Sequence, residues 1–289
     1  FSEKSEWLVV GDGSLLNGVP FAGLPDVSGP PGRLIARHTL RFLPSELLLL
    51  VPAAERPASS FLGVADPIYN LADSRLAPHV REAESSEDGA SISLARLVGS
   101  EKEIRTAALL SRMSDEELLV GTRATIQNLR KSLVASPEIV HFAVHVVSPA
   151  GQAQEAALAL SLKHGMPELL TSETIATYHL PGSLVVMSGC FSEPGKTLPS
   201  AGLVGLSRAW LLAGADAVLV SAWPTPDDSG RFFSEFYRHL QANIEFKPAV
   251  PLANRAAVAL QQAQLDMQRN KDYSGSPSFW AAYNVVSKE

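Results

Sequence analysis

Short apolar runs recur along the chain, separated by longer amphipathic stretches: WLVV at 7–10, LLLLV at 47–51, SFLGV at 60–64, EIVHFAV at 138–144, SLVVMS at 183–188 and DAVLVS at 216–221. Runs of this length without in–out alternation predict strands buried on both faces, as in a mostly parallel sheet covered by helices. The intervening stretches predict helices near 91–110, 124–134, 172–178, 201–213, 228–242 and 250–268. Several have recognisable ends: Thr171 or Ser172 is a cap with Glu173 in the first turn, and Ser200 caps a helix that stops at Gly214. In that last helix Leu203, Leu206 and Trp210 fall on one face, which is expected to pack on the sheet. The fold class read from this alternation is α/β.

Composition limits what such a fold does. With 289 residues, 46% of them apolar, the chain suits one large domain or two small ones with a sizeable core. Its net charge of −6 offers no broad basic footprint, so no nucleic-acid partner is expected. The apolar runs fall far short of the roughly 20 residues that cross a bilayer, so no membrane partner is expected either. The start at Phe1 lacks the features of a secretory signal and reads as a mature or excised domain. The charged REAESSEDGAS at 81–91 reads as a solvated loop and PAAERPASS at 52–60 as a connector. A single cysteine, Cys190, excludes an internal disulfide framework and a multi-cysteine zinc site.

Three local motifs carry little. WLVVGDGSLLNG is followed by the Pro- and Gly-rich VPFAGLPDVSGPPG instead of the helix that a dinucleotide site needs. GLSRA at 205–209 lacks the second glycine of a nucleophile elbow, and Ser207 falls inside a predicted helix. His141 and His145 would invite a metal on a helix, but β-branched neighbours favour a strand, Phe142 stands where a zinc protease has Glu, and no third ligand is evident. No metal and no cofactor are expected, and His141 is read as a satisfied structural imidazole.

Cys190 and His145 read differently. Gly189 allows an abrupt turn after SLVVMS, which leaves Cys190 at the carboxyl edge of the sheet, where open α/β sheets bind ligands. If the two strands are parallel, His145 ends its own at the same edge. A thiol facing an imidazole is the arrangement a cysteine nucleophile needs, since the imidazole raises the thiolate fraction and protonates the leaving amine.

In order and spacing, GDGSLLNGVPFAGL, FLPSELLLL, LGVADPIYN, EIVHFAVH, LVVMSGCFSEPG, AGLVGLSRAWLLAGADAVLVSAWPTPDD and SFWAAYNVV together resemble the CHAT domain, a caspase-like and separase-like (clan CD) cysteine peptidase family often attached to TPR arrays. The resemblance implies a caspase-like three-layer αβα fold across 1–289, a catalytic dyad of His145 and Cys190, and an oxyanion hole from the backbone N–H groups of Cys190 and Val146. It further implies that Ser221, Ala222 and Trp223 hold a polypeptide substrate as an added strand, with Asp227 or Asp228 receiving a basic side chain. The bland account of those two aspartates is a cap and dipole partner for the next helix. The family usually has glycine after its histidine, whereas this chain has HVVS at 145–148. A β-branched Val146 resists positive φ, so the loop takes another conformation or the donor is displaced. A cysteine endopeptidase is the first expectation, an inactive peptidase-like interaction module the second, and a thiol hydrolase or transferase of a small substrate the third. An upstream regulatory TPR region or partner protein and a cytoplasmic location complete the expectations.

Overall fold

The structure, a computed structural model, describes residues 5–10, 19–27, 32–50, 58–78, 94–148, 155–189, 200–223, 225, 230–246, 250–270 and 277–288. Among these, eight strands form one sheet: β1 (Glu6–Val10), β2 (Thr39–Leu43), β3 (Ala58–Ala65), β4 (Asp115–Val120), β5 (Pro137–Ala143), β9 (Leu184–Met187), β10 (Ala217–Ser221) and β11 (Tyr283–Ser287). A small second sheet contains β6 (Val146–Val147), β7 (Ala157–Lys163) and β8 (Met166–Thr171). The main sheet runs β1-β2-β11-β10-β9-β5-β3-β4. Neighbours are parallel throughout except where β10 meets β11. The expected α/β class with a mostly parallel central sheet is the one observed.

Alternation along the central strands divides two cores. Ile139, Leu184, Val186, Ala217 and Leu219 face one cluster, and Val140, Phe142, Val185, Met187, Val218 and Val220 face the other. The first is closed by α1 (Ser100–Ser111), α5 (Gly230–Phe246) and α6 (Leu252–Arg269), which supply Ala107, Phe233, Tyr237, Ala256 and Leu260. The second is closed by α2 (Ile126–Leu133), α3 (Ser172–Ala176) and α4 (Ser200–Leu212), which supply Leu129, Ile175, Leu206 and Trp210. A short α7 (Pro277–Trp280) precedes β11. Helix ends follow the sequence: Thr171 accepts a hydrogen bond from the Thr174 N–H, and Gly214 follows α4 with φ of +112°. Leu206 and Trp210 are buried as expected, while the side chains of Ser200 and Leu203 lie outside the described ones.

Two expectations need correction. Residues Glu46–Leu50 form a 3-10 helix, not a strand, and Val51 lies outside the described residues. Four consecutive leucines carry no period, and Pro44, lacking an N–H, ends β2 just before them. The strand at that place in the sheet is β2, hidden in the sequence by Arg41, which lies buried and pairs with Glu6 at 2.5 Å. The helix expected from residue 91 begins at Ser100, after the non-helical Leu94–Val98 and Gly99.

Candidate active site

β5 and β9 are parallel neighbours in register, with His141 beside Val186 and Phe142 beside Met187. The pairing continues past β9, where the Ser188 N–H donates to the Phe142 carbonyl at 3.0 Å. Gly189 then lies directly against the backbone of Val144: a Cβ at Gly189 would fall 1.6 Å from the Val144 carbonyl oxygen. Only glycine fits there, because the obstacle is main chain that cannot rotate away. The residue before Cys190 therefore abuts the residue before His145. Cys190 itself lies outside the described residues, as do Asp227 and Asp228.

His145 is 5% exposed and held on several sides. Its backbone N–H donates to the Tyr69 hydroxyl at 3.2 Å, and its carbonyl accepts from the Ala159 N–H at 2.9 Å. The Tyr69 ring lies against the imidazole, with centroids 5.0 Å apart. Nε2 is 2.7 Å from the Ala95 carbonyl. A carbonyl only accepts, so Nε2 carries the proton and Nδ1 has the basic lone pair. Burial pushes this imidazole below the usual histidine range, and the Ala95 carbonyl, which favours the charged ring, opposes part of that shift.

Val146 takes the alternative conformation anticipated above. It begins β6 in an antiparallel pair with Leu158, its side chain fully buried, and it is absent from the described positions with positive φ. Because the Ala159 N–H bonds to the carbonyl of His145, the ladder bonds fall on the pairs flanking 146/158. Val146 thus directs its N–H away from β7.

His141 is a satisfied structural imidazole, as expected. It is fully buried, with Nδ1 3.1 Å from the Tyr237 hydroxyl, Nε2 3.1 Å from the Ser188 Oγ and Glu103 Oε1 3.2 Å from the same nitrogen. Burial, reinforced by the Glu103 carboxylate, pushes the Tyr237 hydroxyl well above its ordinary range, so it is the protonated donor to His141. His141 and His145 therefore serve different surroundings despite their spacing of four.

The third expected element starts at the end of β10. The Ala222 N–H donates to the Ala282 carbonyl at 2.7 Å, continuing the ladder with β11. Ser221, the last residue of β10, turns its backbone groups away from β11, toward the side on which β9 lies, and the chain bends at Ala222 and Trp223. Trp223 is anchored by a bond from its indole Nε1 to the Ser278 carbonyl at 3.1 Å.

Beyond these residues, Tyr69 and Ala95 contact His145 although neither was singled out from the sequence. Among the described residues, Glu235, His239 and Asp266 also bring donor atoms within 4.8 Å of one another, on the exposed side of α5 and α6. Their carboxylates already pair with Arg238 and Arg269.

Comparison with known proteins gives a match to the CHAT domain family model over residues 4–288. Tetratricopeptide repeat protein 28 of Homo sapiens and that of Mus musculus are each 26% identical over 92% of this chain. The chain spans only 12% and 13% of the length of these curated relatives. Among solved structures, the Arg-specific cysteine proteinase gingipain R superposes with a TM-score of 0.47 and 11% identity, covering 87% of this chain and 54% of its own. The Saccharomyces cerevisiae separase–securin complex gives 0.45 and 14%, covering 86% and 14%. The Drosophila initiator caspase Dronc gives 0.38 and 8%, covering 82% and 85%.

Proposed function

This chain belongs to the CHAT domain family, and from that premise we propose that it is a cysteine endopeptidase acting through Cys190 and His145. The observation that carries the reading is the contact of Gly189 with Val144, since each precedes one member of the dyad by a single residue. In the proposed reaction His145 Nδ1 takes the Cys190 proton and the thiolate sulfur bonds to the scissile carbonyl carbon. The N–H groups of Val146 and Cys190 stabilise the resulting oxyanion; losing one such donor typically costs around 10²- to 10³-fold. The C–N bond breaks as the imidazolium returns its proton to the leaving amine. Water, deprotonated by His145, then cleaves the thioester and restores the thiol. The lowered proton affinity of His145 is compatible with this role, because it keeps the ring neutral at pH 7, the form that can take a proton. No metal or organic cofactor takes part.

The segment Ser221, Ala222 and Trp223 would hold the peptide as an added strand, with the Ala222 N–H itself already given to β11. Asp227, or Asp228 next to it, would receive a basic side chain, giving cleavage after Arg or Lys. An internally quenched peptide panel varied at the residue before the scissile bond tests this. Cleavage after Arg or Lys that disappears in Cys190→Ala supports it, and cleavage only after apolar residues removes the basic preference.

A second reading is favoured by the extended Val146, where the family usually has glycine. It is a peptidase-like module that retains the groove to bind a polypeptide without cutting it, with the curated tetratricopeptide relatives pointing to an attached or partner repeat region. Peptides that bind to the folded protein and emerge intact would establish it.

A further inference from the structure

At the end of β3, the strand on the far side of β5 from β9, stands Asp66. It is fully buried and adopts φ of +44°, a left-handed conformation that aspartate tolerates but rarely takes without reason. Arg96 grips its carboxylate as a fork, with Nη2 2.7 Å from Oδ2 and Nε 3.0 Å from Oδ1. Arg75 adds Nη1 at 2.7 Å to Oδ2 and 3.1 Å to the Asp66 carbonyl, and is itself bound to Asp73 at 2.6 Å. The Asp66 N–H donates to Ser100 Oγ at 2.9 Å, so Asp66 holds both the start of α1 and the segment before it. An unpaired buried carboxylate is strongly unfavourable, which makes a guanidinium partner for Asp66 a structural requirement.

The neighbours of this ion cluster are the two residues that hold His145. Ala95, whose carbonyl binds Nε2, immediately precedes Arg96. Tyr69, whose hydroxyl and ring contact His145, follows Asp66 by three residues. Its predecessor Ile68 is fixed by an N–H bond to Ser161 Oγ at 3.0 Å in β7. Tyr69 packs with Leu94, Val147 and Ala159 in one small apolar cluster behind the histidine.

We infer that Asp66 and Arg96 form a clamp that positions the general base: Asp66 is the fixed half, and Arg96 is the arm that sets the Ala95 carbonyl against His145 Nε2. Both are positioning residues, because they act through Ala95. The catalytic consequence rests on the peptidase reading, whereas the effect on the His145 ring does not. Without the fork, the Ala95 carbonyl drifts, the preference for a proton on Nε2 weakens, and the ring loses an acceptor that favours its charged form.

Arg96 is the arm to remove, since its side chain is 44% exposed and Arg75 still neutralises Asp66 in its absence. His145 is followed by NMR in Cys190→Ala and in Cys190→Ala with Arg96→Ala. The clamp predicts a lower titration midpoint and a shift of the neutral ring away from the Nε2–H tautomer in the double variant. With Cys190 present, Arg96→Ala is expected to slow covalent capture of a peptidyl electrophile about 10- to 100-fold, through the rate of bond formation and not through initial binding. An unchanged midpoint and tautomer overturn the clamp even if stability falls. If the parent protein captures no electrophile while the NMR change is seen, the peptidase reading fails and the clamp stands.

Discussion

At Gly189 a single missing side chain decides whether two strand ends can meet. Gly189→Ala sets a methyl group against the Val144 carbonyl, so β9 and β5 must separate beyond their last ladder bond. The variant is expected to lose about 3 kcal/mol or more in a denaturant titration, together with His145-dependent reactivity of Cys190. Full stability would mean that the two ends are not packed as described. From the sequence this glycine reads only as a place where the chain can turn; its contact with Val144 depends on where a distant strand ends and was not legible there. Nor was Ala95, since it works through a carbonyl oxygen that every residue carries. Asp66 was equally hidden: an acidic residue after an apolar strand looks like an ordinary loop residue until Arg75 and Arg96 close on it. The extended Val146 follows from its β-branched side chain, which finds a buried place in β6 opposite Leu158.

The elements most readable in the sequence are the strands apolar on both faces, β3, β5, β9 and β10. β4 escaped notice because Asp115, Glu116 and Glu117 occupy its exposed half at the sheet edge. β7 and β8 also went unread, although their turn has a local signature: His164 and Gly165 both adopt positive φ, 53° and 75°, as a two-residue hairpin of primed type requires. This hairpin supports the site, since Ala159 of β7 holds the His145 carbonyl. Gly165→Val is expected to destabilise the protein by about 1–2 kcal/mol, and His164→Asn to leave it unchanged or slightly more stable. A chemical denaturation series measures both, and the reverse order would contradict the assigned turn.

Across the whole molecule, four adjacent parallel strands each deliver one part of the proposed site at their carboxyl ends. β10 leads to Ser221–Trp223, β9 to Gly189, β5 to His145 and β3 to Asp66 and Tyr69. Ligand sites of open α/β sheets lie at this edge, so the topology itself converges the parts. Among the described residues no helix is long and apolar enough to cross a membrane. The buried histidine also couples the site to global stability. Its proton affinity is lowered in the folded state, so below about pH 6.5 the unfolded chain binds the extra proton and stability falls as the pH falls. Melting temperatures from pH 7.5 to 5 should decline more steeply for the parent protein than for His145→Gln, and parallel curves would refute the shift. The central claim, that Cys190 and His145 work as a dyad, is tested most directly by intact mass after exposure of the folded protein to a peptidyl electrophile. The account predicts one adduct on Cys190, dependent on the peptide and lost in His145→Ala; a thiol that reacts only after denaturation would contradict it.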